Sequence, residues 1–209
     1  MSDEERKFKV NNRMINEIKY VNSLLPGKIL DAGCGPGFFL AEINKEWGKY
    51  GIELSKFNVD YINDSFSDIN VQVGSLEKLP YEDNFFDIVY SFQVMEHVFE
   101  PVKIFKEFSR VCKPDGKIII STPNIDSFCS KRFKGNYRLL GAPHVIMWSP
   151  ITMKHLFKLI GFEVVKEYYP FFKTEYFTLK NLIRLLNKRN VSPPFYGNEM
   201  NLYAKRISN

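Results

Sequence analysis

Lys28-Ile-Leu-Asp-Ala-Gly-Cys-Gly-Pro-Gly-Phe-Phe-Leu40 decides the fold. A short apolar run, Lys28 to Leu30, meets an acidic residue and then a loop with Gly33, Gly35 and Gly37. Apolar residues resume at Phe38, Phe39 and Leu40 with the look of a helix. A strand feeding a tight glycine loop that opens a helix is a nucleotide-binding device. Glycines at alternate positions allow unusual backbone angles and put no side chain between main chain and ligand. The spacing is G-x-G-x-G, and Phe38 stands where a dinucleotide fingerprint has its third glycine. That argues against a dinucleotide, whose pyrophosphate needs the closer helix approach, and suits a nucleoside ligand without phosphates.

A second acid fits the same reading. Glu53 ends Tyr50-Gly-Ile-Glu53 and lies 20 residues beyond Gly33. A carboxylate at the tip of the second strand accepts hydrogen bonds from ribose hydroxyls.

The chain has 209 residues, so one domain with a sizeable core is expected. Hydrophobic residues make up 44% and charged residues 25%, the balance of a soluble globular protein, and no apolar stretch approaches a membrane span. The charged start, Met1 to Val10, lacks the apolar region of a signal peptide. Cys34, Cys112 and Cys129 form no C-x-x-C pair, which fits a reducing cytoplasm without a disulfide frame or zinc knuckle. The net charge of +5 sits in residues 171–209, which hold seven Lys/Arg and two Glu; residues 1–170 hold 22 of each sign. Such a cluster reads first as a solvated helix face and second as a contact for a phosphate-bearing partner.

Helical spacing at Val10, Met14, Ile18, Val21 and Leu25 ends at Pro26-Gly27. The pattern predicts helices over 36–47, 56–66, 98–111, 150–160 and 179–188. It predicts strands over 28–30, 49–54, 70–73, 86–92, 117–121, 162–169 and 201–207, with a turn at Lys113-Pro-Asp-Gly116. Strands alternating with helices over about 120 residues mean a parallel sheet covered by helices, with ligands at the carboxyl ends of its strands. Asp31, Gly33, Glu53, Ser75 and Ser91 all fall at or just after such ends. Pro123 to Ser149 breaks the rhythm as a long irregular insert rich in aromatics and cations.

Taken together these segments resemble the class I S-adenosylmethionine-dependent methyltransferases. Ile29-Leu-Asp-Ala-Gly-Cys-Gly-Pro-Gly37 resembles the first motif, and Gly51-Ile-Glu-Leu-Ser55 the ribose-binding strand end. Val73-Gly-Ser-Leu-Glu-Lys-Leu-Pro80 with Asn84 to Tyr90 resembles the adenine-side loop and fourth strand. Val94-Met-Glu-His-Val98 and Arg110 to Pro123 resemble the segments that follow. His144 to Pro150 with Gly161-Phe162 is similar to the substrate side of small-molecule members, including the quinone-biosynthesis type.

The resemblance implies a Rossmann-like seven-stranded sheet, mostly parallel, whose antiparallel last strand lies between strands five and six. It implies one methyltransferase domain over 1–209, comprising an N-terminal helix (1–27), a cofactor-binding core (28–122), a substrate-side insert (123–149) and a C-terminal part (150–209). It implies S-adenosylmethionine as cofactor, leaving S-adenosylhomocysteine. Asp31 would lie near the amino-acid end, Gly33, Cys34, Gly35 and Gly37 beneath the cofactor, Glu53 on the ribose, and Leu54 against the adenine. Ser75, Leu76, Ser91 and Phe92 complete the expected cofactor contacts. Many relatives carry Asp where this chain has Ser75, which leaves the adenine amino group to that serine or to Glu77.

Direct in-line transfer needs positioning and dryness, and an oxygen acceptor must also lose a proton. His144, in the insert before Trp148, is the candidate general base, with His97 second; either is also readable as a satisfied loop histidine. Tyr137 and Trp148 are candidates to stack on an acceptor ring, or else pack the insert on its own domain. Cys34, without a sequence-adjacent base, reads as a small buried residue. No Asp/Asp/Asn set can be placed, so no metal is expected. The expected reaction is methyl transfer to a small-molecule acceptor, at oxygen, in the cytoplasm. The oligomeric state is open. The alternatives are RNA or protein methylation through the basic C-terminal region, against which Tyr90-Ser-Phe-Gln93 counts, and a non-catalytic scaffold.

Overall fold

In the computed structural model the described residues are 3–141, 143–170, 179–187 and 198–207. They form a seven-stranded sheet in the order β3-β2-β1-β4-β5-β7-β6. The strands are β1 (Lys28–Ala32), β2 (Gly48–Glu53), β3 (Ile69–Val73), β4 (Phe86–Phe92), β5 (Cys112–Pro123), β6 (Phe162–Tyr168) and β7 (Glu199–Arg206). The first strand pairs in parallel with β2 and β4, and β2 with β3. The last strand runs antiparallel to β6, from Phe162↔Arg206 to Tyr168↔Asn201, and lies between β5 and β6, as expected. The helices are α1 (Asp3–Asn22), α2 (Phe38–Ala41), α3 (Lys56–Ser65), α4 (Pro101–Val111), α5 (Phe128–Phe133), α6 (Pro150–Leu159) and α7 (Leu179–Leu186).

The chain falls into two compact units. The first comprises residues 1–91 and 106–118, the second 92–105 and 119–209. In the first unit the order β3-β2-β1-β4 places the winding reversal between β1 and β4, where an open parallel sheet binds its ligands. Met14, Ile18 and Val21 bury one stripe of α1, whereas Leu25 lies past its end and is exposed. Phe38 and Phe39 pack α2: Phe39 stacks on Tyr90 at 3.9 Å and Phe38 meets Tyr61 edge-on. Ser55 caps α3 by accepting the Asn58 N–H, and Val59 and Ile62 are its buried face.

In the second unit α6 starts with a reciprocal cap between Ser149 and Thr152, and Pro150 occupies its first turn. Met153, Leu156 and Phe157 are its buried stripe, and Gly161, at φ +79, ends it.

Beyond shifts of one or two residues at strand ends, four departures from the sequence expectation have a local reason. The helix expected over 36–47 is α2 alone, because Asn22 takes over beyond it: its Nδ2 donates to the Glu42 carbonyl and its Oδ1 accepts the Asn44 N–H. The helix expected from Val98 begins at Pro101, because the Glu96 carbonyl accepts Val145 and Ile146 N–H groups instead of starting a helix. The turn at 113–116 lies within β5, held where Lys113 pairs with Asp87 at 2.8 Å. The insert is not wholly irregular: Ser127 caps α5, and two 3-10 turns follow at Lys134–Asn136 and Arg138–Gly141. The predicted helix end at Lys188, Pro193-Pro194 and about half of the basic C-terminal stretch lie outside the described residues.

Candidate functional site

The first unit collects the expected cofactor residues at the strand tips. Gly33, Gly35 and Gly37 all take positive φ, at +84, +51 and +78. These angles let Gly33 and Cys34 donate their N–H groups to one acceptor, the Ile52 carbonyl at the end of β2, at 2.9 and 3.2 Å. The loop thus folds over the neighbouring strand. Glu53 clamps it there: Oε2 accepts the Gly35 N–H and Oε1 accepts the Ser55 N–H, both at 2.9 Å.

Three features of this unit fit an adenosine-type cofactor carrying a cation. A Cβ on Gly35 would meet nothing within 4 Å, so the loop offers bare backbone to open space. Leu54, the apolar residue after Glu53, is 75% exposed, an apolar surface that an adenine ring can cover. Asp31 is almost completely buried, and burial, with the Glu53 charge added, pushes its carboxyl up to about 8. A buried carboxyl at odds with its surroundings is well matched to a cationic ligand.

The remaining expected contacts are partly committed elsewhere. The Ser75 hydroxyl accepts the Glu77 N–H at 3.2 Å, and Leu76 is buried. Ser91 is fully buried and donates to the Ala32 carbonyl at 2.9 Å, which pins β4 to β1. Cys34 is buried, and its thiol is pushed far above the usual range by burial and by the charges of Asp31 and Glu53. The sulfur sits where a Cβ on Gly51 would lie only 2.7 Å away, so the thiol is a packing group.

The loop from Ser75 to Asn84 is held by Arg110. Its guanidinium donates to both Glu107 carboxylate oxygens, to Asp83, and to the carbonyls of Leu79 and Tyr81. Glu107 in turn accepts the Leu79 N–H at 2.8 Å. Sequence reading missed this clamp, because its partners lie about thirty residues apart.

The second unit collects the histidines. Phe92 is half-buried, and Gln93 after it takes φ +55 and donates its N–H to the Ser121 carbonyl. His97 donates Nδ1–H to the Pro143 carbonyl, and His144 donates Nδ1–H to the Leu139 carbonyl, both at 2.9 Å. A carbonyl can only accept, so each neutral ring keeps its lone pair on Nε2. The rings lie 4.9 Å apart, tilted by 60°. Partial burial, with His97 nearby, lowers the His144 pKa and favours its neutral form. His155 is exposed on α6.

Glu96, within Val94-Met-Glu-His-Val98, is the buried member of this group. It is 1% exposed; Oε2 accepts the Thr122 hydroxyl at 3.1 Å, and Oε1 lies 3.9 Å from His97 Nε2. The signal available in the sequence was an acid beside a histidine just after a buried strand.

The aromatic candidates are used for packing. Trp148 is 6% exposed and donates Nε1–H to the Met95 carbonyl at 2.8 Å. Tyr137 is buried in a small cluster with Cys129 and Phe133, with Leu139 and Met147 against it. Neither ring presents a free face for stacking; both hold the segment that bears His144.

The family model described as "Methyltransferase domain" matches residues 30–120. A Mycolicibacterium smegmatis protein named "Probable S-adenosylmethionine-dependent methyltransferase" is 28% identical over 139 residues, covering 65% of this chain and 52% of that protein. The ubiquinone biosynthesis O-methyltransferase of Coxiella burnetii is 30% identical over 142 residues, covering 64% of this chain and 58% of its own length. The chain thus spans about half the length of these curated relatives. A crystal structure of a SAM-dependent methyltransferase from Archaeoglobus fulgidus shares the fold, with a TM-score of 0.68, 21% identity, and 96% and 94% of the two chains covered.

Proposed function

We propose, for a chain that belongs to the class I S-adenosylmethionine-dependent methyltransferases, that its reaction is transfer of one methyl group to a small-molecule acceptor at oxygen. The observation that carries the reading is the Glu53 clamp on a loop of three left-handed glycines. When bound, S-adenosylmethionine supplies a methyl group on a cationic sulfur for direct in-line displacement.

Each residue then has a task. Glu53 has carboxylate lone pairs beyond the two it gives to backbone N–H groups, and these accept the ribose hydroxyls. Asp31 accepts the amino-acid end and gains a counter-charge for its buried carboxylate. Leu54 covers one face of the adenine, and Ser75 and Leu76 border it. Gly35 leaves room for the backbone to touch the ligand.

On the acceptor side His144 Nε2 is the proposed general base, because its tautomer is fixed by Leu139 and its neutral form is favoured. His97 tethers Pro143, next to His144, and so positions the base. The small-molecule reading is supported by the likeness of His144 to Pro150 to small-molecule members and by the Coxiella relative's name. One domain over 1–209 remains the proposed organisation.

The test uses the full chain, cofactor labelled with carbon-13 at the methyl group, and an unfiltered extract of the source cells, separated after the reaction into small-molecule, RNA and protein fractions. The reading expects a new carbon-13 methyl resonance of an O-methyl product in the small-molecule fraction. Label found only in RNA or protein would overturn it, as would a product methylated at nitrogen or carbon.

A further inference from the structure

We propose that Glu96, His97 and His144 form a binding site for one divalent first-row transition ion of the zinc class. One ligand atom from each residue lies within 4.8 Å of the other two. A divalent ion of this class takes nitrogen and oxygen ligands at about 2.0–2.2 Å, so the atoms need to close to roughly 3–3.5 Å of one another. The ligand atoms therefore have to draw together by about an ångström as the ion binds. His97, at 41% exposed, is the least enclosed of the three. The His97 Nε2 to Glu96 Oε1 distance is already 3.9 Å.

Two further observations point to a cation here. Both imidazoles are fixed through Nδ1 to backbone carbonyls, which leaves Nε2 as the lone-pair donor in each. Metal-bound histidines use this same outer hydrogen bond to fix tautomer and ring direction. The Glu96 carboxylate is buried; Oε2 accepts the Thr122 hydroxyl, and Oε1 lies 3.9 Å from His97 Nε2. Two imidazoles and one carboxylate suit zinc, cobalt, iron or manganese rather than magnesium, which prefers oxygen and keeps its waters. Because three protein ligands leave a position open, an acceptor oxygen or a water can complete the shell.

The site stands on the second unit alone and does not depend on the methyl-transfer reading. With an ion in place both Nε2 lone pairs are engaged. The His144 lone pair is thus the base in the metal-free chain and a ligand once the ion is bound, when the ion itself would lower the acceptor's pKa.

The experiment strips the full chain of metal with a chelator and titrates it with Co²⁺, without cofactor or acceptor. The proposal expects one Co²⁺ per chain, a visible d–d spectrum without sulfur-to-metal charge transfer, displacement by Zn²⁺ and none by Mg²⁺. His97→Ala and His144→Ala should each weaken binding at least about 100-fold, beyond what loss of an outer-shell partner costs. His97→Ala changes a half-exposed ring, so its fold, checked by circular dichroism, is expected to survive. Glu96→Gln is the third variant, scored only against that fold check. Absence of stoichiometric Co²⁺ binding to the wild-type chain would overturn the proposal. So would unchanged affinity in both histidine variants, or a sulfur charge-transfer band, which would move the ion to a cysteine.

Discussion

Glu53 Oε2 accepts the Gly35 N–H at 2.9 Å, so the acid at the end of one strand holds the glycine loop that leaves its neighbour. The same carboxylate, through Oε1, takes the Ser55 N–H at the start of α3. One side chain therefore fixes the loop and remains available to a ligand.

Gly35 and Gly37 separate binding from stability. Gly35→Ala places a Cβ in open space at φ +51, so its cost is the left-handed backbone alone, ~1 kcal/mol. Yet that methyl group stands where the cofactor is proposed to pass. Gly37→Ala adds a 2.9 Å approach to Ile62 Cγ1 at φ +78 and should cost roughly 2–4 kcal/mol. Urea unfolding and S-adenosylhomocysteine titration of both variants check this. The account expects Gly35→Ala to stay folded but bind poorly, and Gly37→Ala to lose more stability than Gly35→Ala.

Asp31 makes stability fall as pH rises. Its carboxyl is near its ordinary value when unfolded and near 8 when folded, so between about pH 4 and pH 8 the folded chain holds the extra proton. The favourable contribution is complete below the unfolded pKa and is lost as pH climbs through the folded one. Urea midpoints of Asp31→Asn should therefore gain on the wild type as pH moves from 5 to 8. Cofactor binding near neutral pH should also release a proton. Calorimetry in buffers of different ionisation enthalpy would detect it, and binding heats independent of buffer would contradict the assignment.

Arg110→Lys should loosen the loop between β3 and β4. Lysine cannot reproduce a fork that meets Glu107 bidentately and two carbonyls besides. The expected loss is ~2 kcal/mol, set by the charged hydrogen bonds near Glu107. Asp83, at 68% exposure, adds little. Hydrogen exchange should show faster opening at the Leu79 amide, whose acceptor is Glu107. An unchanged Leu79 rate would refute the clamp.

Much of the first unit was legible because its signals are local. The strand, the glycine loop and the acid 20 residues on each declare themselves within a few positions. The fourth strand matched its expected limits, Phe86 to Phe92, because turn residues bound an apolar run. What sequence could not show is where long-range polar partners end a helix. Asn22 stops α2, and Arg110 organises a loop about thirty residues away. In the second unit His97 and His144 were each visible as candidates, but their pairing with Glu96 is made only when Pro143 and Leu139 bring their carbonyls to the rings. For Tyr137 and Trp148 the sequence leaves both stacking on an acceptor ring and packing of the insert open, since composition cannot tell a stacking ring from one that packs its own insert.

The most direct measurement is calorimetric titration of S-adenosylhomocysteine into the wild-type chain and into Glu53→Ala, with melting curves for both. The account predicts one site in the wild type. It predicts at least about tenfold weaker binding in a folded Glu53→Ala chain, corresponding to roughly 1.5–3 kcal/mol for charged hydrogen bonds to the ribose. No binding to the wild-type chain, or equal affinity in the two, would contradict it.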